Sequence, residues 1–132
     1  MSTIFTKIIE RELPGHFVWE DENAVAIMTI APIQAGHILV IPRDEIDHWD
    51  DLPAPLAAHL MSVAQTLAKA LKQAFVCERV SMMIVGLEVP HTHLHLVPIN
   101  TMEDANFGNA KMAEGDDLAQ AAQKVREALA SL

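Results

Sequence analysis

The stretch Pro90-His91-Thr92-His93-Leu94-His95-Leu96-Val97-Pro98 carries a histidine at every second position in its first half. Successive side chains of a β-strand point to opposite faces. The alternation therefore predicts a strand over Thr92–Ile99, with His91, His93 and His95 on one face and Thr92, Leu94 and Leu96 turned into a core. Histidine has no strand preference of its own, so three on one face require a chemical reason.

A metal site is the first chemistry to weigh. Strand rise separates residues i and i+2 by about 6–7 Å and residues i and i+4 by about 13 Å. Zinc holds its histidine nitrogens at about 2.0–2.1 Å. A straight strand thus offers two ligands at most, and a third would have to come from elsewhere, such as His37. Catalysis uses the row more fully. Imidazole is a nucleophile and a proton carrier near neutral pH. A nucleophilic histidine needs one nitrogen free and the other N–H held, for instance by a backbone carbonyl. A second histidine can bind an anionic oxygen or protonate a leaving group.

Outward from this strand, Gly36 precedes His37-Ile38-Leu39-Val40-Ile41-Pro42, a buried-looking strand. His16–Glu20 and Ala24–Ile30 flank the polar turn Asp21-Glu22-Asn23 and read as a hairpin. Val80–Val89 reads as a further strand. Ile4–Arg11 suits a short helix, broken by Pro14-Gly15. Leu52, Leu56, Leu60, Val63, Leu67, Leu71 and Phe75 keep a spacing of three to four, the apolar face of a long helix that begins near Pro53. His59 and Met61 fall at its edge. The five acids between Arg43 and Asp51 read as a solvated loop leading into that helix. Asn100–Gly115 is polar and irregular. Asp116 or Asp117 is placed to cap a last helix carrying Leu118, Ala122, Val125, Leu129 and Leu132. One helix, three strands, a long helix, two strands and a helix make an α+β chain with a mainly antiparallel sheet.

Composition narrows the partners. The 132 residues include 9 Lys+Arg and 18 Asp+Glu, a net charge of −9. That balance argues against electrostatic binding of DNA or RNA and against docking on an anionic membrane; a small anionic ligand is still admissible. With 51% hydrophobic and 20% charged residues the chain should fold. The single cysteine, Cys77, excludes an internal disulfide and a Cys-rich zinc site. No secretory apolar segment and no apolar run of about 18 residues is found, so a cytoplasmic location is expected.

His91-Thr92-His93-Leu94-His95-Leu96-Val97 resembles the motif of the histidine triad family, His-φ-His-φ-His-φ-φ with φ apolar, Thr92 being the weak match. Ile4-Phe5 with Lys7-Ile8-Ile9, and Gly36-His37-Ile38-Leu39-Val40-Ile41-Pro42-Arg43, resemble two upstream blocks of the same family. The likeness covers roughly residues 3–100. It implies a histidine-triad-like domain over 1–100, with 101–132 as a C-terminal extension ending in a helix packed on the same domain. It also implies a five-stranded antiparallel sheet, a homodimer, and a nucleotide hydrolase or transferase that needs no cofactor or metal. By resemblance His93 would attack the α-phosphorus of a purine nucleotide or nucleotide conjugate. His91 and His95 would flank it, His95 at the leaving atom, and His37 would complete the cluster. Ile4, Phe5, Ile8 and Leu39 would line the base pocket.

Three positions depart from the family pattern. Thr29 stands where an acid or amide commonly holds the ribose, and can offer one hydrogen bond rather than two. Leu87 and Glu88 stand where a phosphate-contacting glutamine and a small hydroxyl are common, and an acid beside a phosphate is unfavourable. These departures motivate an alternative, a nucleotide-binding or sensor module with little catalysis; a histidine-cluster metal protein is the third reading.

Overall fold

The computed structural model describes residues 2–132. The chain runs α1 (Ile4–Ile9), β1 (Phe17–Glu20), β2 (Ala24–Met28), β3 (Ile38–Pro42), α2 (Ala54–Ala74), β4 (Arg79–Met83), β5 (Leu94–Ile99) and α3 (Gly115–Ala130). Short 3-10 turns lie at Trp49–Asp51, Met102–Ala105 and Phe107–Asn109. The strands form one sheet in the order β1-β2-β3-β5-β4, and every neighbouring pair is antiparallel. The α+β architecture with a five-stranded antiparallel sheet is as the sequence predicts.

Strand alternation sorts the sheet into two faces. Ala24, Ala26, Met28, Ile38, Val40, Leu94 and Leu96 form one core with Leu60, Val63, Leu67 and Leu71 of α2. Leu118, Ala122 and Val125 of α3 close the same core, so the last helix lies against α2 rather than over the histidines. On the other face Val25, Ile27, Leu39 and Ile41 meet Phe5 of α1, with Ile8, Ile9, Phe17 and Val89 at the margin. His59 lies 2.7 Å from Asp21 and ties α2 to the β1–β2 turn. Burial pushes the Asp21 carboxyl up, but hydrogen bonds from the Trp19 indole, the Asn23 N–H, His59 and the Ala24 N–H outweigh it and hold its pKa at about 2. No helix among the described residues is long and apolar enough to cross a membrane.

Several expected boundaries move. The predicted strand over Val80–Val89 ends at Met83. The chain leaves the sheet and turns at Gly86, whose φ of +73° is open to glycine at little cost. The predicted strand over Thr92–Ile99 starts only at Leu94. The Thr92 hydroxyl donates to the Ile46 carbonyl at 2.7 Å, and the Thr92 N–H donates to the same carbonyl, also at 2.7 Å. That pair of bonds pins residues 91–93 to the loop before α2 instead of to the ladder. Three histidines in strict strand alternation are therefore not what forms: only His95 sits on β5, and Thr92 is a buried polar anchor rather than an apolar core residue. The β2 strand stops at Met28, short of Ile30. Neither Asp116 nor Asp117 caps α3; Glu114 is the cap residue, without a side-chain bond, and both aspartates sit in the first turn, where their charge suits the helix dipole.

Candidate functional site

Four histidines meet where β3, β5 and the segment before β5 converge. Leu39 pairs with His95 across the β3–β5 ladder. His37, two residues before Leu39 in the chain, lies against His95 with ring centroids 5.2 Å apart. His93 follows at 4.9 Å from His95. Phe5 of α1 lies edge-on against His93 at 4.8 Å and against His91 at 5.8 Å. His37, His91 and His93 are all buried, His91 completely.

Fixed backbone groups assign the tautomers, because a carbonyl can only accept and an N–H can only donate. His93 Nδ1 lies 2.7 Å from the His91 carbonyl and must carry the proton. The lone pair of His93 is therefore on Nε2, for which no protein partner is found among the described residues. His37 Nδ1 accepts the Ile33 N–H at 3.0 Å, so its proton is on Nε2. That proton is donated over 3.0 Å to His95 Nδ1, which leaves His95 with an N–H at Nε2. His91 Nε2 donates to the Pro42 carbonyl at 2.8 Å, and its Nδ1 accepts a hydrogen bond from the Thr3 hydroxyl at 2.7 Å.

The cluster thus presents a bare nitrogen on His93 and an N–H on His95. His91 and His37 spend both nitrogens on the protein. Burial, reinforced by repulsion from His95 and then His93, lowers the His37 pKa to about 3. Burial and then repulsion from His93 lower His95 to about 4. The hydrogen-bond pattern adds a reason: neither ring can take another proton without breaking the Ile33 or the His37–His95 bond. Burial also lowers His93, against the opposing pull of the His91 carbonyl and Glu88. All three are neutral at pH 7, the state a nitrogen nucleophile requires.

The other expected site residues divide. Phe5 and Leu39 are buried and Ile8 is half-buried, all in the apolar cluster beside the histidines. Ile4 is 47% exposed. With Ser2, Thr3, Glu88, Val89 and Pro90 it lines a cleft of about 310 Å³. Glu88 is exposed, and its charge is felt at His93. Thr29 is not drawn into that cleft; its hydroxyl accepts the Ala31 N–H at 3.3 Å and its N–H pairs with the His37 carbonyl. Leu87 is 90% exposed.

Two contributors escape sequence reasoning. Phe107, from the irregular segment after β5, lies edge-on to His95 at 4.8 Å. Thr3 reaches His91 across 88 positions of chain. The helix-capping preference of threonine is the one local signal that could have marked Thr3, and no local signal marks Phe107. Two free ring nitrogens fall short of the three or four protein ligands of a zinc site, and no group of three or more His, Cys, Asp or Glu among the described residues is placed to hold a metal ion. A nitrogen nucleophile beside an N–H donor instead suits an electrophilic, anionic centre.

Comparison with known proteins agrees on one family. The HIT domain model matches residues 10–102. An uncharacterised HIT-like protein of Methanocaldococcus jannaschii is 31% identical over 87% of this chain and 94% of its own length. The purine nucleoside phosphoramidase of Escherichia coli K12 is 35% identical over 72% of this chain and 85% of its own. The crystal structure of a zinc-bound histidine triad family protein from Mycobacterium smegmatis superposes with a TM-score of 0.86 at 28% identity, covering 99% of this chain and 95% of that one.

Proposed function

The chain belongs to the histidine triad (HIT) family, and on that premise we propose that it hydrolyses a P–N or P–O bond at the α-phosphorus of a purine nucleotide conjugate, with His93 as the nucleophile. The observation that carries this reading is the tautomer of His93: its Nδ1–H is held by the His91 carbonyl at 2.7 Å, which leaves the Nε2 lone pair to attack. The phosphoramidase relative supports the bond type.

In the first step the His93 Nε2 lone pair forms the N–P bond as the bond to the leaving group breaks. The electron pair of that bond departs with the leaving atom, which accepts a hydrogen bond from His95 Nε2–H. The phosphorylated imidazole is cationic, its Nδ1–H still on the His91 carbonyl, and so is a good leaving group itself. Water then attacks phosphorus and returns His93 Nε2 to its starting state. The leaving group takes a proton from solvent as it departs, and the proton released when water attacks phosphorus returns to solvent and balances it. His93 and His95 touch the reacting atoms; His37 and His91 position them. No step of this proposal runs through a metal.

The base packs over Phe5, Ile8 and Leu39, with Ile4 at the rim. Thr29 spends its hydroxyl on the Ala31 N–H, so the ribose is weakly held. A homodimer is part of the proposal: β4 is an edge strand with Met82 exposed, and unpaired edges are commonly covered by a partner. Light scattering tests the dimer. A second reading, a nucleotide-binding module with little turnover, is favoured by the exposed Leu87 and the charge of Glu88 beside His93. Adenosine 5′-phosphoramidate decides between the two. Turnover that disappears in His93→Gly supports the enzyme; saturable AMP binding with no turnover in the unmodified chain supports the module.

A further inference from the structure

α1 is fastened to the histidines through one hydroxyl. Thr3 is the N-cap of α1: its Oγ1 accepts the Thr6 N–H at 3.2 Å. The same oxygen lies 2.7 Å from His91 Nδ1. Because His91 Nε2 already gives its proton to the Pro42 carbonyl, Nδ1 is an acceptor and the Thr3 hydroxyl must be the donor. His91 is fully buried with the Thr3 side chain in place, so an apolar side chain of similar shape at position 3 leaves its Nδ1 without a donor. The two hydrogen bonds fix the ring at both ends. The main chain of the same residue supplies the carbonyl that holds His93 Nδ1–H at 2.7 Å.

We propose that Thr3 is a positioning residue of the site: its hydroxyl sets the tautomer and orientation of His91, and through the His91 carbonyl it sets the tautomer of the His93 nucleophile. The path is Thr3 Oγ1–H to His91 Nδ1, His91 Nε2–H to the Pro42 carbonyl, and the His91 carbonyl to His93 Nδ1–H. Without the hydroxyl, His91 Nδ1 is a buried lone pair with no donor, a state that costs free energy. The ring relieves it by turning or by exchanging tautomers, and either change moves the His91 main chain. A second anchor separates this role from merely holding α1 down. The Thr3 N–H and the Thr6 hydroxyl both donate to Glu45 Oε1, at 2.6 and 2.7 Å, without touching a histidine.

The proposal rests on the reading of His93 as nucleophile, and its test has one arm that needs no substrate. Imidazole ¹⁵N spectra of the full chain are recorded for the unmodified protein and for Thr3→Ser, Thr3→Val and Glu45→Gln. The unmodified protein and Thr3→Ser show His91 as a single Nε2–H tautomer and His93 as a single Nδ1–H tautomer. Thr3→Val shifts the His91 Nδ1 resonance and populates a second His93 tautomer. Glu45→Gln, which replaces the charge-assisted bonds anchoring α1 with weaker neutral ones, leaves both spectra unchanged. In turnover of adenosine 5′-phosphoramidate, Thr3→Val loses about tenfold or more in kcat with KM little changed, the scale on which groups behind a reacting histidine act, and Thr3→Ser restores it. Unchanged His91 and His93 spectra in Thr3→Val overturn the proposal. So does a Glu45→Gln variant that loses as much kcat as Thr3→Val. A protein without turnover on any nucleotide defeats the nucleophile reading, while the spectra still decide the role of Thr3.

Discussion

β3 turns Ile38 and Val40 to one side of the sheet and Leu39 and Ile41 to the other, and the two sides are finished differently. On the first, α2 and α3 cover the strands with Leu60, Leu67, Leu71 and Val125, each at 1% exposure or less. On the second, a six-residue helix covers only one end, and His37, His93 and His95 occupy the ground where further apolar side chains would pack. Buried imidazoles need partners; here each finds one in the backbone or in another ring. Stability is therefore concentrated on the helical side, and the histidine side trades apolar burial for a fixed set of ring nitrogens. The contrast predicts that substitutions on the two sides separate turnover from stability.

The strongest break is His93→Gly. Turnover falls by about 10⁴-fold or more, on the order of 5 kcal/mol in the barrier, while the melting temperature changes little. A steady-state assay beside a thermal melt reads both. Residual turnover within tenfold of the unmodified protein would remove His93 from the mechanism. Leu67→Ala is the mirror experiment. The Leu67 side chain is fully buried between α2 and the sheet, and its loss costs about 2–5 kcal/mol of stability in urea unfolding. KM and kcat of the folded fraction stay near their original values. A large rise in KM would show that the two sides are mechanically coupled.

Acidification probes the histidine side. His37 and His95, at about 3 and about 4, and the lowered His93 sit below the ordinary histidine value of 6.5. The unfolded chain takes up these protons near pH 6.5 and the folded chain resists them. Their contribution to stability is thus complete above about pH 6.5 and is lost as pH falls from there toward about 4. Asp21, at about 2, stays ionised over this window, and Glu45 and Asp104 are lowered as well, chiefly by backbone N–H bonds. The melting temperature at pH 5 should lie below that at pH 7 by at least about 4 °C, the shift that about 1 kcal/mol produces in a domain of this size. A flat profile over pH 5–7 would mean that the rings open to water and protonate freely.

The same division governs what was legible beforehand. The packed side follows periodicity: the apolar spacing from Leu56 to Leu71 and from Leu118 to Leu129 marked α2 and α3, and nearly unbroken apolar runs marked β2 and β3. The histidine side was legible as residues but not as geometry. His91-Thr92-His93 reads as strand, yet the Thr92 hydroxyl bonds to the Ile46 carbonyl and draws the segment off the ladder. With the segment off the ladder, the His91 ring meets Thr3 and Pro42. Contacts such as Thr3 with His91 and Gln34 with Asp104 span 88 and 70 positions, and no local pattern encodes them.

Phe107 gives the smallest and sharpest test, because it joins the histidine side from a segment beyond the reach of the family model. Its segment is held in place: Asp104 accepts from the Gln34 amide at 2.8 Å, and Asn106 Oδ1 accepts the Gly108 N–H at 2.8 Å. The ring lies edge-on to His95, 4.8 Å between centroids, and keeps 38% of its surface open. It therefore limits the freedom of the ring proposed to meet the leaving atom while adding little to the core. An aromatic pair of this geometry is worth about 0.5–1.5 kcal/mol, which converts to a loss of about 2- to 12-fold in kcat/KM for Phe107→Ala. The melting temperature should hardly move, since α2 and α3 carry the core without it. If Phe107→Ala instead destabilises the chain as much as Leu67→Ala does, the irregular segment belongs to the stability side, and the division between the two faces of the sheet is drawn in the wrong place.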